Sequence, residues 1–261
     1  MCIVGVAIDC APGVRLVLLS NRDEAFARPT APWSVWDEGG VVGGRDLERG
    51  GSWLAFAAAD PLRFAAVTNV RHGPAVRSPS KRSRGLIVAD FLRGSRSPSE
   101  FVASLSPADY DGVNVLVSDA GETIVWSSTT GRSHRLGPGI HAVCNASFGD
   151  DASWPKVVKV KAGLAATLHR STEAHNDDLD ALESILLDKT VPDDDQLPDT
   201  GVGLDTERFL APVFIAGSRY GTRTSTVVVV HSNGSAVARE TTFLAAGQPK
   251  ATVRFQWKRA S

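Results

Sequence analysis

The chain is poor in several residue types, and each shortage removes a class of protein. Only three of its 261 residues are cysteine, at positions 2, 10 and 144, and none forms a Cys-X-X-Cys pair. That excludes a disulfide scaffold and the spacing of a structural zinc site, and it suits a reducing compartment. No apolar run approaches the roughly 20 residues of a membrane span. The start lacks the basic region, long apolar core and small-residue cleavage site of a secretory signal. A cytoplasmic protein is expected, for which the Asn-X-Ser sequons at Asn145 and Asn233 are irrelevant. Charge is short too: 28 basic against 29 acidic residues leave a formal net charge of -1. Nothing in that balance draws the chain to nucleic acid or an anionic membrane.

The rest is ordinary for a globular chain, with 43% hydrophobic and 22% charged residues and length enough for a large core. Residues 3–8 and 14–20 are apolar on both parities around the turn Ala11-Pro12-Gly13, the pattern of strands covered on both faces. Parity puts Cys2 with Val4 and Val6. From Ala25 to Ser52 the chain reads as a long loop with short extended pieces. Its glycine pairs are followed by no Gly-Lys-Ser/Thr, so it is not a phosphate loop. A hairpin is expected around Asp60-Pro61, an amphipathic helix from Arg84, and a second helix capped by Ser97. Strands are expected at Asn114–Ser118, Thr123–Ser127 and His141–Cys144, then helices from Trp154 and around Leu179. Asp188 to Leu204 reads as a loop. Strands at Val213–Ala216, Thr224–His231, Ala236–Phe243 and Thr252–Trp257 close the chain. No repeat or linker divides it, so one domain over 1–261 is expected. Helices between two strand-rich ends predict an α+β fold of two packed sheets with helices outside.

Two groups of charge read as structure. The arginines between Arg71 and Arg96 lie in a Ser/Pro-rich stretch and read as a solvated loop. The runs Asp177-Asp178 and Asp193–Asp195 lack calcium-loop spacing and read as loop or cap. The six histidines show no metal or nucleophile spacing. No metal is expected.

The chemistry gathers on the opening hairpin. Removal of Met1 would give Cys2 a thiol and a free α-amino group on one residue. A cysteine titrates near 8.5 and an α-amino group near 7.7–8.0, so one residue supplies both nucleophile and base. Arg22 suits the thiolate, and Asp23 or Glu24 suits the amine or the arginine. Asn69, Asn114 and Asn145, near strand ends, are candidate oxyanion donors. Arg223 precedes a strongly apolar strand. Each has a plainer alternative: a buried inert thiol, a structural ion pair, a turn asparagine, a surface charge. Trp33, Trp36, Trp53 and Phe56 are candidates to line an apolar pocket or to fill the core.

Cys2 followed by Asn21-Arg22-Asp23-Glu24 and Arg28-Pro29 resembles the Asn-Arg-Asp-Glu (NRDE) motif family, the transport and Golgi organisation 2 family. Gly50-Gly51-Ser52-Trp53-Leu54, Thr68-Asn69, Arg84-Gly85-Leu86, Tyr110 to Asn114, Asn145-Ala146 with Trp154-Pro155-Lys156, and Tyr220 to Thr224 continue the resemblance in order. It implies an N-terminal-nucleophile hydrolase-like fold, a four-layer αββα sandwich of two mainly antiparallel sheets. A more distant likeness to penicillin V acylase and bile salt hydrolase implies a site of Cys2, Arg22, Asp23 or Glu24, Asn69, Asn145 and Arg223. Asn21, Trp53, Asn114 and Tyr220 join it as substrate-binding candidates. The expected activity is hydrolysis of an amide or thioester of a small acylated molecule, with no cofactor required. The alternative is a carrier of haem or acyl-lipid, with Cys2 or a histidine as axial ligand. Intact mass spectrometry of the purified protein is expected to show the chain without Met1; a mass that retains Met1 removes the α-amine mechanism.

Overall fold

The computed structural model describes residues 2–73, 80–170 and 178–260, apart from the side chains of Cys2 and Arg170. Met1 and Asp177, used in the sequence readings, lie outside them. Two antiparallel sheets form the centre. One has six strands in the order β10-β1-β2-β11-β12-β13: β1 (Cys2–Ala11), β2 (Val14–Ala25), β10 (Gly139–Val143), β11 (Tyr220–His231), β12 (Ser235–Phe243) and β13 (Pro249–Lys258). The other runs in sequence order from β3 to β9: β3 (Thr30–Val35), β4 (Val41–Asp46), β5 (Leu54–Ala57), β6 (Asp60–Asn69), β7 (Val113–Ser118), β8 (Thr123–Ser127) and β9 (Ser133–Leu136).

Residue parity makes the layers. In β11, Val228 and Val230 enter the core between the sheets, while Val227 and Val229 face the helices α3 (Pro155–Arg170) and α4 (Leu179–Leu186). The helices α1 (Arg84–Arg93) and α2 (Pro98–Ala103) cover the second sheet through Ile87, Phe91 and Phe101. The result is the expected αββα order. A strand buried on both faces must be apolar on both parities, as the first two strands are.

Several local signals act as read. Ser97 caps α2, accepting from Glu100 N while the Glu100 carboxylate accepts from Ser97 N, with Pro98 in the first turn. Asp178 caps α4 through Ala181 N. Gly5 lets α3 settle on β1, since a Cβ there would stand 2.6 Å from Val160 Cγ1.

Other readings need correction. The stretch from Ala25 to Ser52 holds two six-residue strands, β3 and β4, despite its Pro and Gly. Burial of Trp33, Val41 and Val42 outweighs those breakers. The four-residue strand β9 and the helix α5 (Leu204–Leu210) had no strong periodic signal. Val213–Ala216 is not a strand. β2 is already paired on both edges, by β1 and β11, so no ladder position is open. The segment is instead held from the side: Ile215 N donates to Thr222 Oγ1 and Thr222 N to Ile215 O.

One contact fixes the loop that opens onto the candidate site. Ser52 N donates to Gly85 O, and a Cβ on Gly51 would lie 2.3–2.7 Å from the backbone of Gly85 and Leu86. Gly51→Ala is therefore expected to lower stability by about 1–3 kcal/mol, read as a lower urea midpoint; an unchanged midpoint would contradict this packing.

Candidate functional site

The site lies at the end of the first sheet where β1 begins. Cys2 pairs with Arg22 on β2. On its other flank β10 ends at Val143, opposite Val4, and Asn145 follows two residues later. The backbone thus brings position 2 between Arg22 and the segment carrying Asn145; the Cys2 side chain is outside the described residues.

Arg22 leaves the inner face of β2 and crosses to the second sheet. Its Nη1 donates to Thr30 Oγ1 at 2.7 Å, its Nη2 meets Asp46 Oδ2 at 3.3 Å, and its guanidinium lies 4.3 Å from the Trp53 ring centre. Asp46 binds Arg28 Nε at 2.7 Å through the same oxygen, and its other oxygen accepts from Glu48 N and Arg49 N. Burial opposes ionisation of Asp46, but the Arg28 hydrogen bond, the Arg49 N–H and the charges of Arg28 and Arg22 outweigh it and hold the carboxyl below its usual range.

The two carboxylates after Arg22 differ. Asp23 is buried and accepts from Thr222 Oγ1 at 2.7 Å. Burial raises its carboxyl above the usual range, against the Lys156 charge and the Thr222 hydroxyl. Glu24 is partly exposed, accepts from Ala25 N and stands 3.8 Å from Arg28.

The asparagines form a ladder between segments. Asn145 donates through Nδ2 to Asn69 O at 2.8 Å, and Arg71 N donates to Asn145 O. Asn114 donates to Thr68 Oγ1, Cys144 O and Ala146 O, tying β7 to the segment that carries Asn145. Asp151 closes that segment by accepting from Cys144 N at 2.8 Å; burial pushes its carboxyl up to about 6 despite the backbone donors. Burial also pushes the Cys144 thiol up to about 12 and raises that of Cys10, so neither favours a thiolate.

A cleft of about 280 Å³ opens here, lined by Arg22, Asp23, Glu24, Trp53 and Asn69 among others. Asn145, Asn114, Asn21, Tyr220 and Arg223 do not line it. Asn21 lies on the helix side of β2, where it donates to Leu186 O and Val213 O and accepts from Ser225 Oγ. Arg223 occupies the bulge between Thr222 and Thr224, and its Nη1 donates to the carbonyls of Ala25, Phe26 and Arg28. It thereby holds the turn that presents Arg28. Tyr220 donates its hydroxyl to Asp23 O. Of the aromatic candidates only Trp53 lines the cleft; Trp33 and Phe56 fill the core between the sheets and Trp36 the core beneath α1.

The arginine stretch is not only a solvated loop. Arg71 is buried in an ion pair with Glu207 at 2.7 Å, and Lys81, Arg82 and Arg84 line the cleft. With Arg22, Arg28 and Arg49 they outnumber the lining acids Asp23, Glu24, Asp46 and Asp111. No described lining residue is histidine, cysteine, methionine or tyrosine. No group of three or more potential metal ligands occurs among the described residues, and no described helix is long and apolar enough to cross a membrane.

Sequence reading missed four residues here: Arg28 as a site group, Asp46, Lys156 and Glu240. Arg28 and Lys156 stood inside quoted motifs, and their chemistry was a usable signal. Asp46 and Glu240 carried none, because only the packing of the two sheets and the order of their strands bring them to Arg22. Glu240 lies between the sheets, accepting from Trp33 N at 2.8 Å and Thr226 Oγ1 at 3.2 Å. Burial pushes its carboxyl up to about 7, against those hydrogen bonds and the Arg22 charge.

Comparison with known proteins is consistent along the chain. The family profile described as "Transport and Golgi organisation 2" matches residues 1–245. The Bos taurus Transport and Golgi organization protein 2 homolog is 29% identical over 94% of both chains. The Homo sapiens homolog is 28% identical over 90% of both. The Drosophila melanogaster Transport and Golgi organization protein 2 is 40% identical over 35% of both.

Glu240 generates a pH prediction. It keeps its proton to about pH 7 in the fold, whereas an unfolded glutamate loses it near 4.3. The folded state binds more protons between those values, so this contribution is lost as pH rises through them. Glu240→Gln is expected to flatten that fall and to exceed the native protein at pH 8 by about 1–3 kcal/mol. Urea unfolding at pH 5 and pH 8 checks it; equal pH slopes in both proteins would contradict it.

Proposed function

The chain belongs to the Transport and Golgi organisation 2 family, and from that footing we propose that it is a cysteine N-terminal-nucleophile hydrolase. The substrate is an amide or thioester of a small acylated molecule. The observation that carries this is the placing of position 2: level with the approach to Asn145 and paired with Arg22, which lines the cleft with Asp23, Trp53 and Asn69. The high pKa values of Cys144 and Cys10 support Cys2 as the nucleophile. The excess of lining cations favours a substrate that carries negative charge.

With Met1 removed, the α-amino group of Cys2 accepts the thiol proton as Sγ bonds to the substrate carbonyl carbon. The carbonyl pair moves to oxygen, where asparagine amides are the candidate donors. One hydrogen of the Asn145 amide is engaged by Asn69 O, which fixes that amide's direction. Collapse breaks the C–N or C–S bond, and the leaving nitrogen or sulfur takes the proton from the ammonium. Water then adds to the acyl-thioester through the same amine, releasing the carboxylic acid and restoring the thiol. Arg22 supplies positive charge near the sulfur; Asp23 orients the amine, while Glu24 serves Arg28. Cytoplasmic action fits the sparse cysteines.

Turnover of a panel of N-acyl amides and acyl-thioesters by the processed protein tests this. Cys2→Ala is expected to lower kcat by about a thousandfold or more. Absence of turnover with haem or an acyl-lipid taken up intact would overturn hydrolysis in favour of a carrier.

A further inference from the structure

The cations that line the cleft fall into two sets. The side chains of Arg22 and Arg28 are buried and paired: Asp46 meets both, and Arg28 also reaches Glu24 and Glu48. Those of Arg49 and Arg82 stand at the mouth, 59% and 57% exposed, with Lys81 and Arg84 half-buried beside them. Among the described residues, Arg49 comes no nearer an acid than Glu48 at 3.9 Å, and Glu48 already binds Arg28 at 2.9 Å. Arg82 reaches Asp90 at 3.5 Å and Asp109 at 3.9 Å, both well exposed. Lys81 donates to Ala108 O and Arg84 to Gly112 O.

The backbone gathers this second set. Asp46 Oδ1 accepts from Glu48 N and Arg49 N, which fixes the turn after β4. Asp46 N donates to Gly51 O, and Ser52 N to Gly85 O. A Cβ on Gly51 would stand 2.3 Å from the Gly85 carbonyl carbon, so the turn carrying Arg49 abuts the start of α1. Arg82 N donates to Asp109 O, which pins the stretch before α1. Arg49 and residues 81–84 therefore enter one cleft from two segments that touch at Gly51 and Gly85. On this wall four cations meet one lining acid, Asp111. Gathered like charges repel, and a concave low-dielectric wall focuses their potential outward to an anion. The Ser83 hydroxyl also lines the cleft and makes no capping bond to α1. Guanidinium forks beside a hydroxyl form the donor set that carboxylate and phosphate oxygens match. At about 280 Å³ the cleft lies at the small end of ligand sites, which suits a small molecule.

We propose that the wall of Arg49, Lys81, Arg82 and Arg84 is an oxyanion-binding subsite that takes a carboxylate or phosphate group of the substrate. It selects acylated molecules that carry such a group over neutral ones. As a statement about substrate this rests on the hydrolase reading; the binding of the oxyanion does not. The buried pairs of Arg22 and Arg28 keep the inner cleft in shape, and the exposed arginines supply the recognition.

The test reads binding and not turnover, so it stands apart from the hydrolase reading. Inorganic phosphate and succinate are titrated separately into the purified protein at low salt and followed by calorimetry. The proteins compared are the native chain, the double variant Arg49→Gln with Arg82→Gln, and Arg254→Gln on the exposed strand β13. Thermal melts confirm that each variant folds. Saturable binding of at least one probe is expected in the native protein, and the probe that binds tells whether the subsite takes phosphate, carboxylate or both. The double variant is expected to weaken it at least about tenfold. Arg254→Gln is expected to bind as the native protein does. Absence of binding of both probes at millimolar concentration would overturn the proposal. So would equal affinity in the native protein and a folded double variant, or an equal loss in Arg254→Gln, the mark of diffuse surface charge. Binding lost in the double variant alone, with no turnover of any acyl compound by the native protein, would defeat hydrolysis and leave the subsite standing.

Discussion

The guanidinium of Arg22 is the constraint on which the open end of the sandwich depends. It starts on one sheet and finds its partners, Thr30, Asp46 and Trp53, on the other. Its side chain is only 4% exposed. Removing one partner from such a buried pair costs about 3–5 kcal/mol, because the remaining charge is stranded. The two sheets are therefore locked in register at this end by charge, while apolar side chains fill the space between them. Asp46 is the shared anion: it also seats Arg28, whose turn is held by Arg223. A cleft wall is built from side chains that have little freedom to move.

Around that lock the polar residues divide into frame and face. Asn21 ties β2 to the helix layer, Asn114 ties β7 to the Cys144–Ala146 segment, and Arg223 ties β11 to the Arg28 turn. Asp23, Glu24, Asn69 and Trp53 meet the cleft. Asn21 and Asn114 are as buried as the core, so the N-terminal strand emerges into an environment already fixed on both flanks. Such preorganisation is what catalysis by charge stabilisation requires. Behind the same arginine, burial keeps the carboxyl of Glu240 protonated to about pH 7.

How far the sequence showed this depends on the kind of signal. Strands apolar on both parities, the Ser97 cap and the helix spacing of α1 and α3 are local, and the layer order followed from them. β3 and β4 were obscured because their burial comes from residues far along the chain, including Glu240 beneath Trp33. Arg22, Asp23, Glu24 and Asn69 stood in a motif and do share a cleft. The direction in which Asn21 and Arg223 point was not legible, since it follows from strand face and from a bulge. Lys156 was quoted in a motif, but its burial is a tertiary fact. Asp46 offered no pattern at all.

The central claim is that Cys2 becomes covalently acylated during turnover. Rapid-quench mass spectrometry of the processed protein mixed with an acyl-thioester or acyl-amide substrate measures this directly. The expected result is an acyl mass on the N-terminal peptide that appears and decays at the rate of turnover. Product formed with no acyl group on that peptide at any time would contradict the account.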